Sequence, residues 1–160
     1  MKVLLAIEGS PCSMAAVQAV ALRPWPEGSK VKVVTVVEFP HIAGSELWVL
    51  KPGYIEQLEN AEQDRVEALI KRTVATLHEE TQGKLNVFGE VLKIGDPKEV
   101  ILEEADKWGA DLIVLGSHGY HGFKRFWLGS VSLAVASGAQ CSVEIVRCPG
   151  AKISFPAKGR

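Results

Sequence analysis

The sequence is poor in cysteine and lacks any long apolar run. Its three cysteines, Cys12, Cys141 and Cys148, are an odd number with no CxxC pair, so neither a disulfide framework nor a zinc site is expected. Cys12 is interpreted as an unreactive small residue, and Cys148 is close enough to the C-terminus to be exposed. No apolar run approaches the length of a membrane span, and the first one, 3–7, is too short for a signal peptide. A cytoplasmic protein is therefore expected.

Neither sign of charge is in excess. Lysine and arginine number 18 and aspartate and glutamate 19, for a net charge of −1, which gives no electrostatic reason to expect binding to nucleic acid or to an anionic membrane. The 47% of hydrophobic residues are typical of a globular chain. A length of 160 residues suits one domain. We expect that domain over residues 1–148, followed by a flexible C-terminal tail, 149–160.

Strand and helix patterns alternate along the chain. Buried strands are predicted from the apolar runs, and helices from apolar spacing and from the Ser-Pro and Asp-Pro helix starts. This alternation predicts an α/β fold with a five-stranded, doubly wound, Rossmann-like parallel sheet and helices on both faces. The predicted strands are 2–7, 31–39, 85–94, 111–115 and 142–147, and the helices begin at Ser10-Pro11, about Tyr54, Pro97 and about Gly129. In this fold ligands bind where the winding reverses, here between the ends of the first and fourth strands.

A glycine-rich segment follows the fourth predicted strand. Gly116, Gly119 and Gly122 recur at intervals of three, and glycine permits both a positive φ and a close approach of a ligand to the backbone. A helix then starts at Gly129-Ser130, where free amides and the helix dipole favour an anion and where Ser130 and Ser132 add hydroxyl donors. The chain has no Gly-Lys-Ser or Gly-Lys-Thr triplet, so this is not a P-loop. The glycines by themselves predict equally well a tight turn with a close helix–sheet contact.

Other polar residues in this segment have two interpretations. His118, His121, Lys124 and Arg125 could meet phosphate groups or could simply be solvated. The sequence has no Gly-x-Ser-x-Gly elbow and no evident general base, so no catalytic residue is predicted.

The spacing of the glycines carries a resemblance to a known family. Gly116, Gly119, Gly129 and Ser130 match in full a motif of Gly, two residues, Gly, nine residues, then Gly and Ser or Thr. The first strand with its turn, 3–10, and the stretch 110–119 are also similar to the corresponding segments of this family. Over residues 2–147 the chain resembles the universal stress protein family, in its ATP-binding subgroup with the complete glycine motif.

The resemblance implies the nucleotide-binding type of fold found in adenine nucleotide alpha hydrolases, and a homodimer formed through the last strand. It implies ATP, or another adenine nucleotide, as ligand, and Glu8 as a contact of the ribose or of a bound metal ion such as Mg²⁺. Glu8 departs from the family's usual aspartate by one methylene. The implied nucleotide contacts are Ala6, Ile7, Glu8, Val36, Leu115, Gly116, Gly119, Gly129, Ser130, Val131 and Ser132.

Three functions remain open at this point. The first is an ATP-binding regulatory module of the stress response with at most slow ATP hydrolysis. The second is an enzyme of phosphoryl or adenylyl transfer, for which the sequence offers no acid–base pair. The third is a dimeric interaction protein that binds no nucleotide.

Overall fold

The computed structural model describes residues 1–37, 53–92, 95–119 and 128–148, and of Tyr54 and Ile55 it describes the backbone alone. Five parallel strands form one sheet in the order β3-β2-β1-β4-β5, which confirms the predicted doubly wound fold. The predicted C-terminal tail lies outside the described residues. The elements are β1 Lys2–Ala6, α1 Pro11–Leu22, β2 Lys30–Val36, α2 Tyr54–Glu80, β3 Asn86–Leu92, α3 Pro97–Trp108, β4 Leu112–Gly116, α4 Ser130–Gly138 and β5 Ser142–Val146.

Strand β1 lies at the centre of the sheet, paired in parallel with β2 on one side and β4 on the other. Its alternate side chains enter two separate cores: Val3 and Leu5 face helices α1 and α2, whereas Leu4 and Ala6 face α3 and α4. Because both faces of the sheet are covered, the four buried positions of β1, 3–6, are all apolar instead of alternating with polar residues. The winding reverses between β1 and β4, as the sequence predicts.

The helix starts follow the predicted local chemistry. The Ser10 side chain caps α1 by accepting a hydrogen bond from the Ser13 amide, and Pro11 takes the first helical position. Asp96 caps α3 by accepting a hydrogen bond from the Lys98 amide, and Pro97 takes the first helical position. Gly109 is the C-cap of α3 and has a φ of 68°. None of the helices in the described ranges combines the length and the apolar character that a membrane crossing needs.

A buried ion pair joins the sheet to α3. Lys32 lies on β2 with 5% of its surface exposed, and its Nζ is 2.5 Å from both Glu104 Oε1 and Glu90 Oε2. Burial by itself lowers the pKa of Lys32, but the hydrogen bonds and charges of the two carboxylates outweigh it and raise the pKa above its ordinary value. The lysine therefore remains charged inside a valine-rich strand.

The expectation of no disulfide is wrong for two of the three cysteines. Cys12 and Cys148 are bonded although 136 residues separate them in sequence, with their Cα atoms 4.5 Å apart. The parallel topology places the start of α1 beside β4 and β5, so the two thiols meet across the fold. Cys148 is half-buried, whereas Cys12 is buried and is not the unbonded small residue that the sequence suggested. Cys141 is free.

Candidate functional site

The turn after β1 brings a carboxylate to the edge of the sheet where the winding reverses. The Ile7 amide donates to Val34 O at 2.9 Å, and Thr35 Oγ1 donates to Ile7 O at 2.8 Å, so the chain is held to β2 for one residue beyond the end of β1. Gly9 then adopts a φ of 97°, a conformation that glycine accepts without strain. A Cβ placed on Gly119 would lie 3.7 Å from Glu8 Oε1. The Glu8 carboxylate therefore lies next to the glycine loop.

The glycine loop is anchored on the start of α1. Ser10 Oγ donates to the carbonyl of His118 at 3.2 Å while it caps the helix. A Cβ on Gly116 would lie 2.6 Å from the carbonyl carbon of Cys12 and 2.7 Å from the amide nitrogen of Ser13. Backbone atoms cannot yield to such a contact, so packing alone requires glycine at position 116.

The third motif glycine joins the loop to α4. The Gly129 amide donates to Ser117 O at 2.8 Å, and the buried Ser132 hydroxyl donates to the same oxygen at 2.9 Å. The hydroxyl expected from Ser132 is thus used inside the fold. Ser130 is exposed, and no side chain of the described residues caps the first turn of α4. The amide groups of that turn therefore remain for an anion.

The three described motif glycines differ from one another in the space around them and not in backbone conformation. Gly116, Gly119 and Gly129 are outside the positive-φ region, so the positive φ that the sequence suggested for the loop glycines is not used at Gly116 or Gly119. Gly129 is crowded by Ser117 O and Ser132 Oγ, each 3.3 Å from an added Cβ. Gly119 differs, since the Glu8 carboxylate is the nearest group to an added Cβ. Gly119 is thus the motif glycine beside which the described residues leave room for a ligand.

Several of the residues implied as nucleotide contacts are internal. Ala6, Ile7 and Leu115 expose 6%, 3% and 4% of their surfaces, which leaves little side-chain surface for a ligand. Val36 is half-buried at the carboxyl end of β2, and Val131 is half-buried in the first turn of α4.

His118 is the one loop histidine within the described ranges. Its Nδ1 lies 3.1 Å from Ser117 Oγ, and its Nε2 is buried with no hydrogen-bond partner among the described residues. The histidine, glycine, lysine and arginine at positions 121, 122, 124 and 125 lie outside the described residues.

Arg65 is a residue near this edge that the sequence interpretation missed. On α2 it falls among apolar positions and was expected on a solvated face. Its Nη1 donates to the Glu8 carbonyl at 3.4 Å, and its Nη2 pairs with Glu62 Oε1 at 2.7 Å. The signal was the position of a cation within the apolar stripe of the helix. The Arg65 guanidinium thus lies against the Glu8 backbone just beyond β1.

The site offers little for metal binding by protein groups alone. Over the described ranges, no three His, Cys, Asp or Glu side chains are grouped as a metal site requires. Mg²⁺ is commonly held by one or two carboxylates together with substrate phosphates and water. Glu8 fits this limited role and no larger one.

A family model and one relative each match almost the whole chain. Residues 1–147 match the model of the "Universal stress protein family". A Coxiella burnetii protein named universal stress protein A homolog 2 is 47% identical over 73 residues, which are 44% of this chain and 49% of that protein. The aligned part thus spans about half of this relative. A universal stress protein of Methanocaldococcus jannaschii is 33% identical over 92% of this chain and 82% of its own length.

Solved structures share the fold. The universal stress protein UspA of Lactobacillus plantarum superposes with a TM-score of 0.71 at 22% identity, over 92% of this chain and 97% of that one. An Arabidopsis thaliana family member with AMP bound gives a TM-score of 0.61 at 17% identity, over 94% and 93% of the two chains. A universal stress protein in complex with cAMP gives 0.55 at 20% identity, over 92% and 97%.

Proposed function

The chain belongs to the universal stress protein family, and we propose that it is a regulatory module of the stress response that binds an adenine nucleotide, with ATP as the leading candidate. The proposal includes a cytoplasmic location, a homodimer and at most slow hydrolysis of ATP. The nucleotide lies at the carboxyl edge of β1 and β4, where the winding of the sheet reverses.

One observation carries the proposal: the uncapped first turn of α4 lies in the same hydrogen-bonded unit as the open Gly119. The Gly129 amide donates to Ser117 O. The carbonyl of His118, the residue after Ser117, accepts from Ser10, which caps α1. Phosphate groups would accept hydrogen bonds from the amides of Ser130, Val131 and Ser132, with the positive end of the helix dipole behind them. Gly119 would let the phosphates approach the loop backbone.

The base would lie over the neighbouring strand ends. Ala6, Ile7 and Leu115 are buried, so they would contribute a backbone floor, whereas the half-buried Val36 would also contribute side-chain surface. Glu8 would contact the ribose or share Mg²⁺ with the phosphates. The relatives solved with AMP and with cAMP support an adenine nucleotide as the ligand class.

Thermal unfolding with and without nucleotide tests the proposal. Protein is first denatured and chromatographed to find any adenine nucleotide that it carried through purification. Nucleotide-free protein is then melted with MgATP. At a concentration 100 times Kd, binding to the native state adds about 2.7 kcal/mol, or roughly 5–10 °C in Tm for a chain of this size. An unchanged Tm at millimolar MgATP would contradict nucleotide binding.

Substitution of Gly119 locates the site. We expect Gly119→Val to weaken ATP binding at least about tenfold with little loss of stability, because the Glu8 carboxylate is the one group of the described residues that an added Cβ would contact. Gln140→Val is the matched control, since Gln140 is exposed just beyond the other end of α4. Folded Gly119→Val protein with unaltered affinity would place the nucleotide elsewhere.

A second candidate, an interaction protein that binds no nucleotide, has its own supporting observation. Gly116 packs against α1, Gly129 packs against Ser117 and Ser132, and the Ser132 hydroxyl is bonded internally. These contacts require the same residues without any ligand. Nucleotide-free protein that does not respond to MgATP and is still dimeric would favour this candidate.

A further inference from the structure

A cysteine pair lies directly beneath the glycine loop. Cys12 is the second residue of α1, and Cys148 lies two residues beyond β5. The glycine loop is anchored on α1, and the disulfide connects this helix to the chain just beyond the edge strand β5. Disulfides of reducing compartments are usually transient and redox-sensing, in contrast to the structural disulfides of secreted proteins.

We propose that Cys12 and Cys148 form a redox-active pair that exchanges with a small thiol such as glutathione, and that its reduction weakens nucleotide binding by the glycine loop. The exchange reaction stands on the cysteine pair alone. The effect on the nucleotide rests on the proposed function.

The surroundings of the two sulfurs set the direction of attack. Cys148 is half-buried and Cys12 is buried, so an incoming glutathione thiolate meets the sulfur of Cys148. It forms a mixed disulfide there and releases Cys12 as a thiolate. The start of α1 favours negative charge on that leaving sulfur. A second glutathione thiolate then attacks the glutathione sulfur, releases the Cys148 thiolate, and leaves with the first glutathione as its disulfide.

The balance of the reaction is complete. One protein disulfide and two glutathione thiols give two protein thiols and one glutathione disulfide, with two electrons passing to the protein. Both protein thiolates take up protons that came from the two glutathione thiols. Glutathione disulfide reverses every step.

Three contacts link the cysteine pair to the loop. Ser117 Oγ lies 3.7 Å from Cys12 Sγ, and the Ser117 amide donates to Val146 O at 2.8 Å, two residues before Cys148. An added Cβ on Gly116 would touch the Cys12 backbone. The disulfide therefore closes a ring through α1, the loop and β5. Reduction of the disulfide removes one of the links in this ring, so the loop becomes less ordered. Binding of phosphate then costs more conformational entropy, which lowers the affinity.

Cys141 provides an internal control. Burial, reinforced by the negative charges of Asp106 and Asp111, raises the pKa of its thiol. Since the thiolate is the reactive form, Cys141 should react slowly under every redox condition and should not follow the other two cysteines.

The first experiment measures exchange. The protein is equilibrated in buffers with graded ratios of glutathione to its disulfide, alkylated, and analysed by peptide mass spectrometry. Cys12 and Cys148 should become alkylated together along a single reversible curve, and Cys141 should not follow that curve. A pair that stays bonded at every ratio, or two cysteines that follow separate curves, would overturn the redox pair.

The second experiment measures ATP affinity by calorimetry on oxidised and reduced protein. Reduction should raise Kd by about fivefold or more. Cys148→Ser and Cys12→Ser should match the reduced protein whatever the buffer, and Cys141→Ser should behave as the unaltered protein. Equal affinity in both forms would overturn the coupling. If neither form binds ATP, the proposed function fails and the coupling with it, while the alkylation curves still decide the redox pair.

Discussion

Single glycines have different roles at this site. The motif treats Gly116, Gly119 and Gly129 alike, but the atoms around them do not. Gly116 lies against the backbone of α1, whereas the described residues leave room beside Gly119. A glycine that a motif requires can thus serve packing, ligand approach or both, and only its neighbours distinguish these roles.

Gly116→Ala should therefore destabilise the protein even without any ligand. Its Cβ would lie 2.6 Å from the Cys12 carbonyl carbon, and overpacking of this kind costs typically about 1–3 kcal/mol. Urea unfolding of the nucleotide-free protein measures the loss. Gly119→Ala is the control and should stay within about 0.5 kcal/mol of the unaltered chain. Equal stability of the two variants would show that the loop can move away from α1.

At the scale of elements, the ion pair between β2 and α3 replaces apolar packing. Lys32 and Glu104 are both buried, and Lys107 Nζ approaches Glu104 Oε2 only to 3.7 Å. Trp108 lies over the pair, with the Lys32 ammonium 6.0 Å from its ring centre. Buried pairs of this type are costly to break, because the remaining charge stays desolvated.

Lys32→Met should cost about 3–5 kcal/mol, since Glu104 would remain buried without its nearest cation. The double variant Lys32→Met/Glu104→Leu should recover most of that loss because no buried charge remains. Chemical unfolding of the two single variants and the double variant gives the coupling energy. Additive losses would show that the two side chains act independently.

The same pair predicts the behaviour of the protein in alkali. Burial lowers the pKa of Lys32, but the hydrogen bonds and charges of Glu104 and Glu90 outweigh it, so the folded state raises this pKa above its ordinary value of 10.5. Its stabilising contribution is therefore complete below the unfolded pKa and is lost as the pH rises through the folded pKa. The double variant should lose less stability than the unaltered protein above about pH 10.5. Parallel pH profiles would contradict this assignment.

At the scale of the whole molecule, β5 is an edge strand of the sheet that the described residues form. Val143 and Ile145 are half-buried against the core beneath α3 and α4, and an unprotected apolar edge invites a second strand. The Glu144 carboxylate of this strand pairs with Arg23 of the same chain at 2.6 Å. Backbone pairing and apolar contact would therefore form most of the proposed twofold interface.

Proline on the free side of β5 tests this interface. Val146 O accepts from Ser117 in the loop after β4, so by the alternation of the strand the amide of Ile145 points away from β4. Ile145→Pro should leave the sheet intact and shift the protein towards monomer. Sedimentation at micromolar concentration measures this shift. A monomeric unaltered protein, or a folded and still dimeric variant, would exclude β5 as the interface.

The sequence by itself determined the elements, their order and the place where the winding reverses. These depend on local chemistry: continuous apolar runs for buried strands, and Ser10-Pro11 and Asp96-Pro97 for helix starts. The predicted bounds differ from the observed ones by a few residues, as in β2, which ends at Val36, because strand ends depend on pairing with neighbours. The four motif positions were likewise readable, since their spacing lies within one strand–loop–helix unit.

Only the tertiary structure decided which distant groups meet. The Cys12–Cys148 disulfide, the burial of Lys32 between two carboxylates and the approach of Arg65 to Glu8 all join residues far apart in sequence. Such contacts follow from how strands and helices pack across a sheet. A local sequence pattern does not indicate which residues far apart in sequence become neighbours in space. The different roles of Gly116 and Gly119 are also a tertiary effect. The backbone that excludes a side chain at position 116 belongs to α1, about a hundred residues earlier in the sequence.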